Sequence, residues 1–63
     1  MMDEYRLLSR SLVRKNMPTH RLRELPDGFE KYREEEFGIM KSVLYVNGRT
    51  GERIVEIYRR SGR

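Results

Sequence analysis

Two β-rich runs joined by a short turn constrain this chain more than any other feature of its sequence. The runs are IMKSVLYV (39–46) and ERIVEIYR (52–59), both rich in β-branched and aromatic residues. Between them, N-G-R-T-G is typical of a hairpin loop built on a type I turn, in which Gly51 takes a positive φ. The predicted register pairs Asn47 with Glu52, Val46 with Arg53, Tyr45 with Ile54, Leu44 with Val55, Val43 with Glu56, Ser42 with Ile57, Lys41 with Tyr58 and Met40 with Arg59.

The two faces of this hairpin differ in composition. The more apolar face is predicted to be the core, with an N-terminal helix packed on it. The other face mixes apolar, aromatic and charged side chains, and it needs cover from a second helix or from another subunit. We expect a homodimer that contacts its partner through this second face. The predicted core face is Met40, Leu44, Val46, Val55 and Ile57, and the predicted interface is Val43, Tyr45, Ile54 and Tyr58, ringed by Lys41 and Glu56.

Residues 2–15 are predicted to form an amphipathic helix. The apolar side chains fall within an arc of roughly 120° at helical spacing, which is typical of a core-facing stripe. Acids in the first turn and bases in the last match the helix dipole, and Asn16 and Pro18 are stop signals. The predicted stripe consists of Met1, Met2, Tyr5, Leu8, Leu12 and Val13.

Residues 27–37, DGFEKYREEEF, fit two interpretations. The first is a short helix capped by Asp27 and ended by Gly38. The second is a strand, which would place Phe29, Lys31, Arg33, Glu35 and Phe37 on one face, a poor pattern for a strand. We favour the helix, and residues 16–26, bracketed by two prolines, are expected to connect it to the first one.

The predicted fold class is therefore α+β: an N-terminal amphipathic helix, a short second helix and a C-terminal two-stranded antiparallel β-hairpin. A chain of 63 residues forms one domain at most (1–63), and 60–63 are expected to be a flexible tail. Domains this small usually need disulfides, a metal or a partner chain. The chain has no cysteine and one histidine, so neither a disulfide nor a His/Cys zinc site is expected. Oligomerisation is then the remaining means of stabilising so small a domain.

The charged N-terminus lacks the long apolar core of a signal peptide or membrane span, so we expect a cytoplasmic protein without a membrane partner. The net charge of +4 is segregated, because the segment 27–38 is acidic and the two flanking segments are basic. Arginine binds phosphate through two parallel hydrogen bonds, and each contact releases counterions. The alternative is an ordinary solvated surface. The candidate nucleic-acid-binding residues are Arg6, Arg10, Arg14, Lys15 and Arg21 on the first helix and connector, and Arg49, Arg53 and Arg59 on the hairpin.

No motif in the sequence indicates an enzyme. His20 has Glu24 four residues away but no further group converging on it, and the acids at 34–36 lack the spacing of a calcium loop. There is no phosphate-binding glycine loop and no nucleophile motif. We expect no catalytic residue, no metal and no cofactor.

Two resemblances bear on function. Val43-Leu44-Tyr45 and Ile57-Tyr58-Arg59 give the stretch 21–58 a basic hairpin with a late tyrosine, which resembles the C-terminal half of ribosome-dependent mRNA-cleaving toxins. The N-terminal helical pair and additional strand of that family are missing. R-T-G-E after an aromatic strand, about ten residues in all, is similar to the small three-stranded DNA-binding modules of phage integrases. We assign the chain to neither family.

Three functions follow as hypotheses. The first is a small basic nucleic-acid-binding or regulatory module of viral or mobile-element type, which binds DNA or RNA. The second is a protein–protein interaction or oligomerisation module that acts through the apolar hairpin face. The third, implied by the toxin resemblance, is a ribonuclease that uses Tyr58, His20 and arginines.

Overall fold

The computed structural model describes residues 4–15 and 19–61, and all regular structure in these ranges is β-strand. The strands are β1 (Tyr5–Val13), β2 (His20–Arg21), β3 (Phe29–Phe37), β4 (Met40–Asn47) and β5 (Arg53–Arg60). They form one antiparallel sheet in the order β2-β1-β5-β4-β3. The predicted α+β class is therefore wrong, since neither predicted helix forms.

The β4–β5 hairpin has the predicted register. Tyr45 lies opposite Ile54, and Val43 lies opposite Glu56. The Gly51 N–H donates to the Asn47 carbonyl at 2.7 Å, and the φ of Gly51 is +80°. The Asn47 side-chain oxygen accepts from the backbone N–H groups of Arg49 and Thr50, so local turn chemistry holds the loop.

β1 replaces the predicted first helix. It pairs along its length with β5, and the pairing shifts by one residue at a β-bulge between Leu7 and Ser9. The extra residue lets Leu7 before the bulge and Leu12 after it share a face despite their odd spacing. The spacing of Tyr5, Leu8 and Leu12 looked helical because the sequence alone does not reveal a bulge. Of the predicted stripe and stop signals, Met1, Met2, Asn16 and Pro18 lie outside the described residues.

β3 replaces the predicted second helix, and it forms an edge of the sheet beside β4. A bulge between Lys31 and Arg33 divides the strand, so that Phe29 and Lys31 lie on one face of the sheet and Arg33 lies on the other. This interruption explains why strict alternation gave a poor pattern for the strand. Gly38, with a φ of +61°, belongs to the β3–β4 turn instead of a helix end.

The connector and the C-terminal residues also join the sheet. β2 pairs with β1 through Ser11 opposite Arg21, and the Leu22 N–H donates to the Arg10 carbonyl at 2.8 Å. In the predicted 60–63 tail, Arg60 lies in β5, and the Ser61 N–H donates to the Glu4 carbonyl at 2.8 Å. Residues 62–63 lie outside the described residues.

The sheet curls around one of its faces. The Tyr5 hydroxyl on β1 donates to Oε1 of Glu36 on β3 at 3.1 Å, although these strands would lie about 14 Å apart in a flat sheet. Lys41 Nζ lies between them, 4.1 Å from the Tyr5 ring centroid. We call the enclosed side the concave face and the opposite side the convex face. The buried side chains among the described residues lie on the concave face: Leu12, Val43, Ile54 and Glu56.

The predicted core face is therefore wrong. Its residues alternate with the buried ones and lie on the convex face, half-buried, with no helix over them in the described part of the chain. The prediction assigned the core to the face with more apolar side chains. The other face, which forms the interior, contains the charged residue Glu56. These convex residues are Met40, Leu44, Val46, Val55 and Ile57.

Candidate functional site

The convex face carries a pair of like charges on adjacent strands. Arg6 on β1 lies directly opposite Arg59 on β5. Side chains in such a pair have Cβ atoms about 4.5–5.5 Å apart, and like charges in this arrangement are destabilising. Neither arginine forms an ion pair with any residue in 4–15 or 19–61. Together with Arg60 and Ser61 they line a cleft of about 260 Å³.

A second group of cations lies toward the other end of β1 and β5. Lys15 and Arg53 line a cleft of about 400 Å³ together with Val13, Arg14 and Gly51. Arg21 on β2 lies opposite Ser11, so it shares the convex face with Arg53. We call Lys15, Arg21 and Arg53 the Arg53 cluster. Within the part of the chain that the structure describes, none of the three forms an ion pair.

The two cationic groups are separated by uncharged side chains. Arg59 is six positions after Arg53 on the same strand, which corresponds to about 20 Å. The side chains between the groups on this face are small or aliphatic. On β1 and β5 they are Ser9, Ser11, Val55 and Ile57.

The opposite edge of the convex face is acidic. Glu30 and Glu35 on β3 lie opposite Val46 and Ser42, which places both carboxylates on this face. Arg33 lies between them in sequence, with its guanidinium 3.8 Å from Glu35. The convex face is therefore polarised, with cations on β2, β1 and β5 and carboxylates on β3.

A polar network occupies the concave face. Glu56 is 1% exposed, and its Oε2 accepts from Arg10 Nε at 2.7 Å. Its Oε1 accepts from the Tyr58 hydroxyl at 2.6 Å, and Arg10 also donates to the backbone carbonyl of Arg23. Such a network stabilises the interior only because each buried polar group has a partner.

The network shifts the acidity of its members. Burial acts to raise the pKa of Glu56, but hydrogen bonds from Tyr58 and Arg10, with the charge of Arg10, outweigh it and lower the pKa below its ordinary value. Burial, followed by the hydrogen bond to Glu56, raises the pKa of Tyr58 to about 12. Burial and the Glu56 charge also raise the pKa of Tyr45.

The structure divides the candidate nucleic-acid-binding residues into three groups. Arg10 is committed to Glu56 on the concave face, and Arg14 Nε lies 2.6 Å from Glu52 Oε2. Arg49 is exposed at the hairpin tip, lining a cleft with Asp27 and Gly28. The structure brings the remaining candidates together on the convex side: Arg6, Lys15, Arg21, Arg53 and Arg59.

The predicted interface residues all lie on the concave face. Val43 is 4% exposed and Ile54 is fully buried, so both side chains already pack within the chain. Tyr45 and Tyr58 are half-buried. Contact with a second copy through this set stays a prediction, and it would require the concave face to open.

Sequence reasoning missed the Arg10–Glu56 pair. The one signal for it was the glutamate itself, which alternates along its strand with Ile54 and Tyr58. Its partner is 46 residues away along the chain, and no local pattern identifies it.

The remaining candidate groups are His20 and the glutamates of β3. His20 is exposed on β2, and no group of three or more potential metal ligands occurs in residues 4–15 and 19–61. Glu34 forms an ion pair with Lys31. The hydrogen bond from Lys31 and its charge lower the pKa of Glu34. No helix among the described residues is long and apolar enough to cross a membrane.

Comparison of the chain with protein-family models, curated proteins and solved structures finds no match.

Proposed function

We propose that this protein binds nucleic acid through the phosphate backbone, using the cations of the convex face. The observation that carries the proposal is the placement of Arg6 directly opposite Arg59, with no carboxylate of residues 4–15 and 19–61 paired to either. A bound phosphate removes the repulsion between the two guanidinium groups and accepts hydrogen bonds from both.

The distribution of acids supports the same face. Glu56 on β5 and Glu52 just before it are neutralised internally, Glu56 by Arg10 and Glu52 by Arg14. Among the strand residues, the carboxylates on the convex face are Glu30 and Glu35 of β3, at the far edge. The cations on β1, β2 and β5 therefore produce a positive field on one half of the convex face, which favours polyanions.

The test is fluorescence anisotropy of a labelled nucleic acid at about 50 and 200 mM salt. Four phosphate contacts would weaken binding by roughly two orders of magnitude across this range, because each contact releases counterions. Arg6→Gln/Arg59→Gln should reduce the slope of log affinity against log salt by about two.

The matched control is Arg23→Gln/Arg49→Gln, which removes the same charge from exposed residues outside the two groups. The control should retain most of the affinity. Equal losses in both double variants would show that net charge alone drives binding, and absence of binding at low salt would refute the proposal.

A protein-binding role is the second candidate. The observation that favours it is the apolar strip Leu44, Val46, Val55 and Ile57, which is half-exposed on the convex face. Exposed apolar patches often bind partners, and a domain this small has little core of its own. Sedimentation of the purified protein over a range of concentrations tests the simplest case, self-association, and a monomer throughout would refute that case.

A further inference from the structure

We propose that the nucleic acid is duplex DNA, and that the Arg6–Arg59 pair and the Arg53 cluster contact phosphates on opposite sides of one groove. This inference rests on the proposed function and specifies its ligand. It follows from the spacing of the cations, from the position of the aromatic side chains and from the curvature of the sheet.

The spacing of the cations fits two rows of phosphates. The two groups lie about 20 Å apart, and the convex side chains between them are uncharged. The major groove of B-form DNA is about 12 Å wide, which leaves each arginine side chain about 4 Å to span on either side. A single strand presents phosphates continuously, so several of them would cross the uncharged gap without a partner.

On the three central strands, β1, β5 and β4, the aromatic side chains are on the wrong face for a single strand. Proteins that bind single strands usually stack bases on aromatic rings set among cations. Here Tyr5, Tyr45 and Tyr58 lie on the concave face, and the Tyr58 hydroxyl is bonded to Glu56. Among the described residues of β1, β4 and β5, the convex face carries no aromatic side chain. The exposed aromatic residues Tyr32 and Phe37 are on β3, the acidic edge strand, where Tyr32 lines a cleft with Arg53.

The curvature and the acidic edge define how the sheet would be oriented on the duplex. A convex surface with short side chains at its centre is complementary to a groove that admits β-structure. Ser9 and Ser11 would lie over the groove floor, where hydroxyls accept or donate hydrogen bonds to base edges. Glu30 and Glu35 would be repelled by phosphates, so β3 would point away from the duplex.

The experiment compares one labelled sequence as duplex DNA, single-stranded DNA and duplex RNA, by anisotropy with the wild-type chain at about 50 mM salt. We expect duplex DNA to bind at least about tenfold more tightly than either alternative. Similar affinity for single-stranded DNA would overturn the duplex assignment and leave the proposed function standing. Tighter binding to duplex RNA would overturn the B-form groove, and no binding to any of the three would refute both proposals.

Two single variants test whether both cationic groups engage one duplex. Arg6→Gln and Arg53→Gln should each weaken duplex binding several-fold, whereas Arg49→Gln, at the hairpin tip, should change it little. Circular dichroism establishes that each variant keeps its sheet. If only one of the two substitutions weakens duplex binding, the proposed contact with phosphates on both sides of one groove is wrong.

Discussion

Arg10 Nε lies 2.7 Å from Glu56 Oε2, and this ion pair joins β1 to β5 in the interior of the sheet. The Glu56 side chain is 2% exposed and that of Arg10 is 14% exposed. A buried pair of this kind often adds little net stability over an apolar pair, but removing one partner leaves an uncompensated charge. Substitution of either residue is therefore expected to destabilise a domain with so small a core.

Glu56→Gln should destabilise the protein by about 3–5 kcal/mol, because it leaves the Arg10 charge buried without its counter-ion. Urea unfolding followed by circular dichroism measures the change. The control is Glu35→Gln, which breaks the exposed Arg33–Glu35 pair and should change stability by at most about 1 kcal/mol.

The same pair predicts a pH response. The pKa of Glu56 is lower in the folded chain than its ordinary value of 4.5. Its contribution to stability is therefore complete above pH 4.5 and is lost as the pH falls through the folded pKa. Glu56→Gln should lack this component, and an unchanged acid dependence in the variant would contradict the assignment.

Tyr58→Phe should cost about 1.5–3 kcal/mol, because it removes a hydrogen bond to a buried carboxylate. The control is Tyr32→Phe. Tyr32 is 72% exposed, so this variant should be close to neutral. Urea unfolding of the two variants at neutral pH gives the comparison.

Tyr58 also predicts a loss of stability in alkali. Its pKa is about 12 in the folded chain against an ordinary 10.0. A raised folded pKa contributes stability that is complete below pH 10 and is lost as the pH rises toward 12. Ultraviolet titration of tyrosinate should show an ionisation at about pH 12 that is absent from Tyr58→Phe.

Gly51→Ala should destabilise the hairpin by about 1–2 kcal/mol, because a φ of +80° places a Cβ too close to the backbone. Gly48→Ala, in the same loop, is the control. Gly48 does not have a positive φ, and an added Cβ would meet nothing within 4 Å, so this variant should be near neutral. Thermal unfolding of both variants shows whether the loss of stability comes from the positive φ of Gly51 or from any added methyl group in the loop. Equal effects in the two variants would contradict the role of the positive φ.

The parts of the fold that were predictable from sequence are the local ones. The β4–β5 register follows from the turn chemistry of Asn47 and Gly51, which acts over a few residues. β1 was not predictable, because Leu8 and Leu12 have helical spacing and the strand is held by distant pairing with β5. A bulge changes the apparent period of a strand, and single-sequence periodicity does not detect it.

The candidate site was predictable in part for a related reason. Arg53 and Arg59 were placed correctly on one face of the hairpin because their register is local. Arg6 joins them only through the β1–β5 pairing, and a helix would have aligned it with Arg10 and Arg14 instead. The interior was misassigned because Glu56 is acceptable there only with Arg10 beside it.

The pairing of β1 with β5 also has a kinetic consequence. β5 is the central strand, with β1 on one side and β4 on the other, yet Arg10 and Glu56 are 46 residues apart in the chain. During synthesis, β1 is made first and cannot pair with β5 until β5 has been made, whereas β3 and β4 follow one another directly. Contacts between distant residues slow folding. We therefore expect the partly folded chain, in which the edge of β1 that faces β5 is still open, to be more prone to aggregation than the finished sheet.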